Sequence, residues 1–434
     1  MFIRNVFYTF STEIFSVGAT FLTGVILART LTPTERGIMV LVMTLPWMIA
    51  SFAALGMPQA NIYLVGRKKR NVKSVLGNAL VIAIVVGSLC VLVLNTVSQA
   101  TLNTALKGFP ADYWLPLLLL VPALLIDISL LSILRARQRF DLFNLRRLVS
   151  STSLLIAFGL ALVLGEGEVL AAASVYIGVT TFMVIFSLLL VKRETPVTLT
   201  VDLQLTGASL KFGLKSYVQN LVGILNYRLG IFLLAFYLSP KEVAFFGVAT
   251  ALAEVAWYFP NSVGVVLFPR LSNVPIEEVH QITARVCRDT LTITGLIVAG
   301  MLAVSWFFVP LIYGSAYRAS VAPLLILLPG VMSMGIYKVL TRNFTSRNRQ
   351  QISILAASIA LLLNVSLALA LIPRWGVVGA AAASTIGYTA AGVVLLFFFL
   401  RDSNLPWQEV LLPKKDELLG HLGWAKERIL QRRR

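Results

Sequence analysis

Charged residues are scarce in this chain. Only 13% of its 434 residues are Asp, Glu, Lys or Arg, whereas 58% are hydrophobic and the mean hydropathy is +0.84. A soluble protein has too little interior to hide that much apolar surface. The composition therefore excludes an ordinary soluble domain and predicts an integral membrane protein.

Cysteine and histidine are also scarce, which excludes several kinds of site. Cys90 and Cys287 are isolated in or near apolar segments and predict neither a disulfide framework nor a metal site. His280 and His421 are far apart, and the sequence contains neither a Walker A motif nor a Ser-His-Asp arrangement. The predicted outer loops are too short to carry a catalytic site. We therefore predict that the protein is not an enzyme and uses no metal and no cofactor.

Long apolar runs, in contrast, are abundant. A membrane-spanning helix needs about 20 mostly apolar residues. The sequence predicts twelve such spans, separated by turn residues such as Thr32-Pro33, Ser239-Pro240 and Pro373-Arg374. They are residues 7–28, 37–65, 74–95, 113–134, 148–165, 169–191, 213–238, 243–268, 290–313, 320–340, 351–372 and 377–400.

The net charge of +18 comes from short basic clusters between the apolar runs. Dense clusters, such as Arg67 to Arg70 and Arg135 to Arg147, follow the even-numbered spans, and the opposite loops contain few basic residues. By the positive-inside rule, this alternation predicts cytoplasmic termini and an even number of spans. Because the basic residues are dispersed among loops, we expect no nucleic-acid partner.

One short motif occurs twice, 207 residues apart. It reads LARTLTPTE at 27–35 and LAFYLSPKE at 234–242, and Pro116 with Pro323 and Arg135 with Arg342 keep the same interval. Six spans in each copy predict two parallel-repeat lobes around a central cavity. The predicted lobes are residues 1–195 and 196–400. A basic tail, 401–434, follows; it predicts an amphipathic segment on the inner leaflet or a frayed end that only fixes topology.

Polar residues recur at helical spacing in the first and seventh predicted spans. Such faces would line a hydrated cavity, or would serve helix packing, where small and hydroxyl residues are common. In the first span they are Thr9, Glu13, Ser16, Thr20 and Thr23, and in the seventh they are Ser216, Asn220 and Tyr227.

Glu13, Asp127, Arg228 and Glu254 are charged residues that fall inside predicted spans. Ionisable groups at membrane depth are costly and by default indicate function. The positions 207 residues away hold no charge, so each charge is specific to one half. The alternative is an internal ion pair, such as Arg228 with Glu254 or with Asp127.

Several motifs resemble those of a known family. The segment 27–37, LARTLTPTERG, resembles the conserved region after the first helix of Wzx-type polysaccharide exporters. Segments 54–58 (ALGMP), 135–138 (RARQ) and 375–381 (WGVVGAA) agree in order and spacing, so the resemblance covers essentially the whole chain. The superfamily also contains the MATE drug exporters and the lipid II flippase.

The resemblance implies a flippase of the bacterial inner membrane. It would turn undecaprenyl-pyrophosphate-linked repeat units of O-antigen or exopolysaccharide from the cytoplasmic to the periplasmic leaflet by ion-coupled alternating access. Its partners would be the substrate, the lipid bilayer and, as candidates, polysaccharide polymerase and chain-length enzymes. The candidate substrate-binding residues are Arg228, Arg29, Asn220, Tyr227, Thr20, Lys215 and Lys211, and the candidate ion-coupling residues are Glu13, Asp127 and Glu254.

Two alternatives stay open. Lys211 and Lys215, at the inner end of the seventh span, would attract an anionic headgroup or would only fix topology. For the whole chain, the alternative is a MATE-like cation-coupled exporter of small molecules. Its substrates would favour an acidic cavity rather than one containing Arg228.

Overall fold

The computed structural model describes residues 2–66, 68–97, 101, 104–163, 168–199, 201–271 and 274–413. Within these ranges the regular elements are all helices, which confirms the predicted all-α integral membrane class. The helices are α1 (Phe2–Thr30), α2 (Pro33–Ala53), α3 (Met57–Gly66), α4 (Val72–Asn95), α5 (Trp114–Ala136), α6 (Phe140–Val163), α7 (Val169–Lys192), α8 (Leu203–Tyr237), α9 (Pro240–Val255), α10 (Tyr258–Leu271), α11 (Ile276–Tyr313), α12 (Val321–Ser346), α13 (Gln350–Ser403) and α14 (Trp407–Leu411). Most of the predicted tail, 414–434, lies outside the described residues.

Among the described helices, eight are long and apolar enough to cross a membrane, or nine if one bent pair counts as a span. Helix α13 has 54 residues and contains one non-helical residue, Gly376, with φ 58°. A straight helix of that length would rise about 80 Å, far more than the ~30 Å hydrocarbon layer. The kink lies close to Pro373, where the sequence predicts a break. The count of twelve spans stays a prediction.

The second predicted span is broken rather than continuous. Leu55 and Gly56 have positive φ angles of 46° and 74° between α2 and α3. A Cβ at Gly56 would overlap the Gly213 carbonyl of α8, so the close approach of the two backbones requires glycine. The hydroxyl of Tyr217 donates to the Phe52 carbonyl at 2.7 Å, next to the break. Contacts with α8, which are distant in sequence, therefore stabilise a break that the local sequence did not predict.

The eighth predicted span is also broken, because α9 and α10 meet at an angle of 44°. The Ala256 and Trp257 amides donate to the Ala253 and Glu254 carbonyls at 3.2 and 2.9 Å, which makes a tight turn. Glu254 therefore lies at the end of α9, beside the turn. Irregular backbone at membrane depth is tolerated where protein or a cavity surrounds it.

The chain forms two compact units. Unit 1 contains residues 1–247 and 310–318, and unit 2 contains residues 248–309 and 319–434. In unit 1, Leu76, Leu130 and Ile133 are fully buried in an apolar cluster. In unit 2, Cys287 and Phe399 are fully buried in another. The predicted lobes are defined by the sequence repeat, whereas the two units are defined by how compactly the chain packs. The boundaries of the lobes stay a prediction.

The repeated motif forms the same helix start twice. The Thr32 amide and hydroxyl donate to Glu35 Oε2 at 2.8 and 2.7 Å, and Thr32 Oγ1 accepts from the Glu35 amide. In the second copy, the amide of Ser239 donates to Glu242 Oε2 at 3.3 Å, and the Ser239 hydroxyl binds the same carboxylate. These bonds satisfy amide groups that a helix start leaves without intrahelical partners.

The helices that follow the two motifs contact each other within unit 1. A Cβ at Gly37 would overlap the carbonyl of Pro240, and a Cβ at Gly247 would lie 3.3 Å from Val40 Cγ2. Positions 40 and 247 are themselves 207 residues apart. Equivalent positions of α2 and α9 therefore meet, and the two-lobed relation of the repeats stays a prediction.

Candidate functional site

The polar face of α1 packs against α6. Asn144 donates to the Thr9 hydroxyl at 2.9 Å, and the hydroxyls of Ser16 and Ser151 are 3.3 Å apart. Thr20, the predicted substrate residue on this helix, is exposed. Thr9 and Ser16 thus serve helix packing, the alternative weighed for this face, and Thr20 points away from that contact.

Asp127 is the centre of a closed polar network in unit 1. The carboxylate is 5% exposed and accepts from Arg146 Nη2 and from the Ser187 hydroxyl, each at 2.6 Å. Helices α5, α6 and α7 contribute one residue each. A buried carboxylate needs such partners, since an uncompensated charge in a low-dielectric interior is strongly unfavourable. The arrangement is that of an internal ion pair, with Arg146 rather than Arg228 as the partner.

The position of Arg146 corrects the sequence prediction, which assigned Arg146 and Arg147 to a loop before a span at 148–165. Helix α6 begins at Phe140, so both arginines lie inside it. Arg147 contacts Glu13 of α1 at 3.5 Å. The helix therefore begins before the apolar run, and each of its two arginines contacts an acid on another helix. Two of the three candidate ion-coupling acids are thus paired with arginines.

Arg29 and Lys107 cap the ends of two helices in unit 1. Arg29 Nε donates to the Ile312 carbonyl at 2.8 Å and its Nη2 to that of Leu311, at the end of α11. Lys107 Nζ donates to the Tyr237 carbonyl at 3.1 Å, at the end of α8. The last carbonyls of a helix lack intrahelical donors, and cations near them are stabilising. In this conformation the predicted substrate residue Arg29 therefore binds backbone carbonyls.

The remaining predicted substrate residues lie on α8. Tyr227 and Arg228 are half-buried, and Lys211 is exposed. The side chains of Lys215 and Asn220 lie outside the described residues. Asp202, at the start of α8, caps the helix through its bond with the Leu205 amide at 2.9 Å.

A second charge cluster, in unit 2, surrounds a lysine that was not among the predicted site residues. Lys338 of α12 donates from Nζ to Asn261 Oδ1 at 2.7 Å, and Nζ lies 4.8 Å from the centroid of the Trp257 ring. Glu254 and Arg342 interact with it electrostatically. The signal that could have found Lys338 is its position inside the predicted span 320–340, where a charge is unusual.

Arg36 was also misplaced by the sequence, which assigned it to an outer loop. It lies inside α2 and is half-buried, with Tyr313 and Tyr317 as electrostatic neighbours. Among the described residues, Arg36 Nε has no hydrogen-bond partner. The capping box at Thr32 starts the helix four residues before this arginine, which places it within the packed region.

Comparison with known families decides which family the chain belongs to. Residues 2–274, more than half of the chain, match the family described as polysaccharide biosynthesis protein. The chain belongs to this polysaccharide biosynthesis family. The resemblance to polysaccharide exporters seen in the sequence is thereby confirmed.

Individual relatives of this family member are distant. The probable low-salt glycan biosynthesis flippase Agl15 of Haloferax volcanii is 22% identical over 183 residues. These residues are 41% of this chain and 39% of that protein, so the similarity spans well under half of the relative's length.

Solved structures share the fold over nearly the full length. The lipid II flippase MurJ in an inward closed conformation is 16% identical, with a TM-score of 0.74 over 93% of this chain and 90% of that chain. An inward-facing MATE multidrug transporter is 15% identical, with a TM-score of 0.73 over 92% and 98%. At such identities the likeness concerns the fold alone.

Proposed function

We propose that this polysaccharide biosynthesis protein is a non-enzymatic transporter that flips lipid-linked oligosaccharides across the membrane. The family match over residues 2–274 carries the proposal. It is supported by the similarity to Agl15, a probable glycan biosynthesis flippase, and by the fold shared with MurJ, a lipid II flippase. The proposed substrate is an undecaprenyl-pyrophosphate-linked repeat unit moved from the cytoplasmic to the periplasmic leaflet of a bacterial inner membrane. Both termini would be cytoplasmic.

Basic residues at membrane depth support an anionic substrate. Arg228 is half-buried in α8, and cations there would hold a diphosphate by charge-assisted hydrogen bonds. Glu254 stays a candidate ion-coupling acid, as do Asp127 and Glu13, which contact arginines. Alternating access of the two repeats would expose this region to each side in turn.

The experiment that tests the proposal is deletion of the gene, followed by analysis of lipid-linked intermediates and of surface glycan. We expect oligosaccharide on its lipid carrier to accumulate at the inner leaflet while surface polymer is lost. Normal surface glycan together with altered sensitivity to cationic drugs would contradict the proposal and favour a MATE-like exporter.

Complementation of that deletion tests the role of Arg228. Arg228→Ala should abolish export while the protein still inserts, because the diphosphate loses a cation. Arg228→Lys should retain part of the export, since the charge remains. Lys241→Gln, which changes an exposed cation on α9 outside the predicted substrate residues, is the matched control. Normal export by Arg228→Ala would remove Arg228 from the substrate site.

A further inference from the structure

Within the cluster around Lys338, the lysine and Glu254 are specific to the second half of the repeat. The interval of 207 residues holds on both sides of it, at the repeated motif and at Arg135 and Arg342. At that interval, Glu254 corresponds to Trp47 and Lys338 corresponds to Leu131. The first half therefore builds the equivalent helices with apolar residues at these positions. Since the fold does not require the lysine and the glutamate there, their presence needs another reason.

The polar side chains of the cluster are partly exposed. Glu254, Asn261, Lys338 and Arg342 are all half-buried rather than sealed in the core. An ammonium group has three N–H donors, of which Asn261 Oδ1 takes one. The ring of Trp257, itself 8% exposed, supports the cation from the buried side. Lys338 is thus oriented by fixed neighbours while donor capacity is left for a ligand.

A second cation extends the site. Arg342 follows Lys338 by four residues on α12, so the two lie on the same face about one helical turn apart. A Cβ at Gly264 would lie 3.0 Å from Arg342 Nε, which shows that α10 leaves room for the guanidinium through this glycine. Two neighbouring like charges repel each other, and an anion near both offsets that repulsion. A ligand with two adjacent negative charges suits this pair.

Glu254 supplies negative charge to Lys338 when no ligand is bound. Its electrostatic interaction with Lys338 offsets the repulsion from Arg342. An anionic ligand that binds Lys338 must compete with this carboxylate. Replacing Glu254 by a neutral residue should therefore strengthen binding of an anion rather than weaken it.

We propose that Lys338, together with Arg342, binds the diphosphate group of a polyprenyl-linked substrate in exchange for its interaction with Glu254. This inference rests on the proposed function and gives unit 2 a diphosphate site besides the one proposed at Arg228 of unit 1. Asn261 and Trp257 are positioning residues, because they hold the ammonium group in place. Charge-assisted bonds from the two cations supply the binding energy.

Direct binding tests the inference. The full chain is placed in nanodiscs of neutral phosphatidylcholine, and the binding of radiolabelled undecaprenyl diphosphate is measured. Lys338→Gln should weaken binding roughly tenfold or more, the size expected when a hydrogen bond to a charged group is lost. Lys338→Arg should stay within a few fold, and Glu254→Gln should bind more tightly than the unchanged protein.

Lys241 offers a matched control. It lies on α9, like Glu254, and its ammonium group is 6.0 Å from the centroid of the Phe245 ring, so it is also a lysine above an aromatic residue. Lys241→Gln should leave binding unchanged. If Lys241→Gln and Lys338→Gln weaken binding equally, the effect comes from net charge alone, and the proposed site is wrong.

A phospholipid headgroup could also supply the phosphate anion. A competition experiment distinguishes it from the polyprenyl diphosphate. If phosphatidylglycerol in the nanodisc displaces undecaprenyl diphosphate, the ligand is a phospholipid and the assignment is wrong. Unchanged binding in Lys338→Gln also overturns it. If Lys338→Gln does not fold, Glu254→Gln decides the question. An unchanged affinity of that variant for undecaprenyl diphosphate would also show that the assignment is wrong. The flippase proposal is decided separately, by the lipid-linked intermediates of the deletion strain.

Discussion

The charge networks of Asp127 and of Lys338 show two ways to keep an ion inside a membrane protein. Asp127 is 5% exposed, and an arginine and a serine from two other helices both bind it at 2.6 Å. Lys338 is half-buried, has an amide and an indole ring as close neighbours, and has an acid and a second cation within electrostatic range. The first network is closed by its own partners, and the second can accept a further anion. We infer that the first serves stability and the second serves binding.

The largest stability effect should come from opening the closed network. Asp127→Ala leaves the half-buried Arg146 without its acid, and we expect a loss of about 3 kcal/mol, the lower end of the range for a broken buried pair. The apparent melting temperature of the purified protein measures it. The double variant Asp127→Leu, Arg146→Met should recover much of the loss, because it removes both charges. An unchanged melting temperature in Asp127→Ala would contradict the structural role.

Removing a single hydrogen bond from each network should cause a smaller loss of stability than removing Asp127. Ser187→Ala removes a donor to the buried carboxylate and should destabilise the protein by about 1.5–3 kcal/mol. Asn261→Ala removes an acceptor from the half-buried ammonium group, which water can replace, so we expect less than about 1 kcal/mol. The melting temperatures of the two variants, measured side by side, show which loss of stability is larger. Equal effects would mean that the Lys338 cluster is as closed as that of Asp127.

An exposed ion pair should have the smallest effect on stability in this comparison. Arg139 binds Asp141 at 2.8 Å at the start of α6, before the predicted span, and this hydrogen bond lowers the pKa of the Asp141 carboxyl. A lowered pKa stabilises the fold above the ordinary value of about 4, and the stabilisation disappears as the pH falls through the folded value. Asp141→Asn should therefore cost less than about 1 kcal/mol at pH 7. Its melting curve should converge with that of the unchanged protein at acidic pH, and a gap that widens there would contradict the assignment.

The sequence predicted the fold class well because apolar runs and turn residues report directly on membrane helices. It also predicted the repeat, and the two copies of the motif around Thr32 and Ser239 form matching caps. The breaks near Gly56 and Trp257 were missed, since the first depends on a close approach to α8 and the second is a bend between helices without a glycine signal.

The candidate site was less predictable than the fold. Asp127, Arg228 and Glu254 stood out as charges in apolar runs, but nothing local indicated that Arg146 of the next helix contacts Asp127. Lys338 lies close to the predicted end of its span, where a lysine usually fixes topology. Its neighbours Asn261 and Trp257 lie about eighty residues earlier, and only the folded chain brings them together.

The most direct test of the contrast between the two networks is to measure export of surface polysaccharide and melting temperature together for Lys338→Gln and Asp127→Ala. The account predicts that Lys338→Gln melts like the unchanged protein yet loses export, and that Asp127→Ala melts at a clearly lower temperature. Normal export by Lys338→Gln, or a drop in melting temperature equal to that of Asp127→Ala, would contradict it.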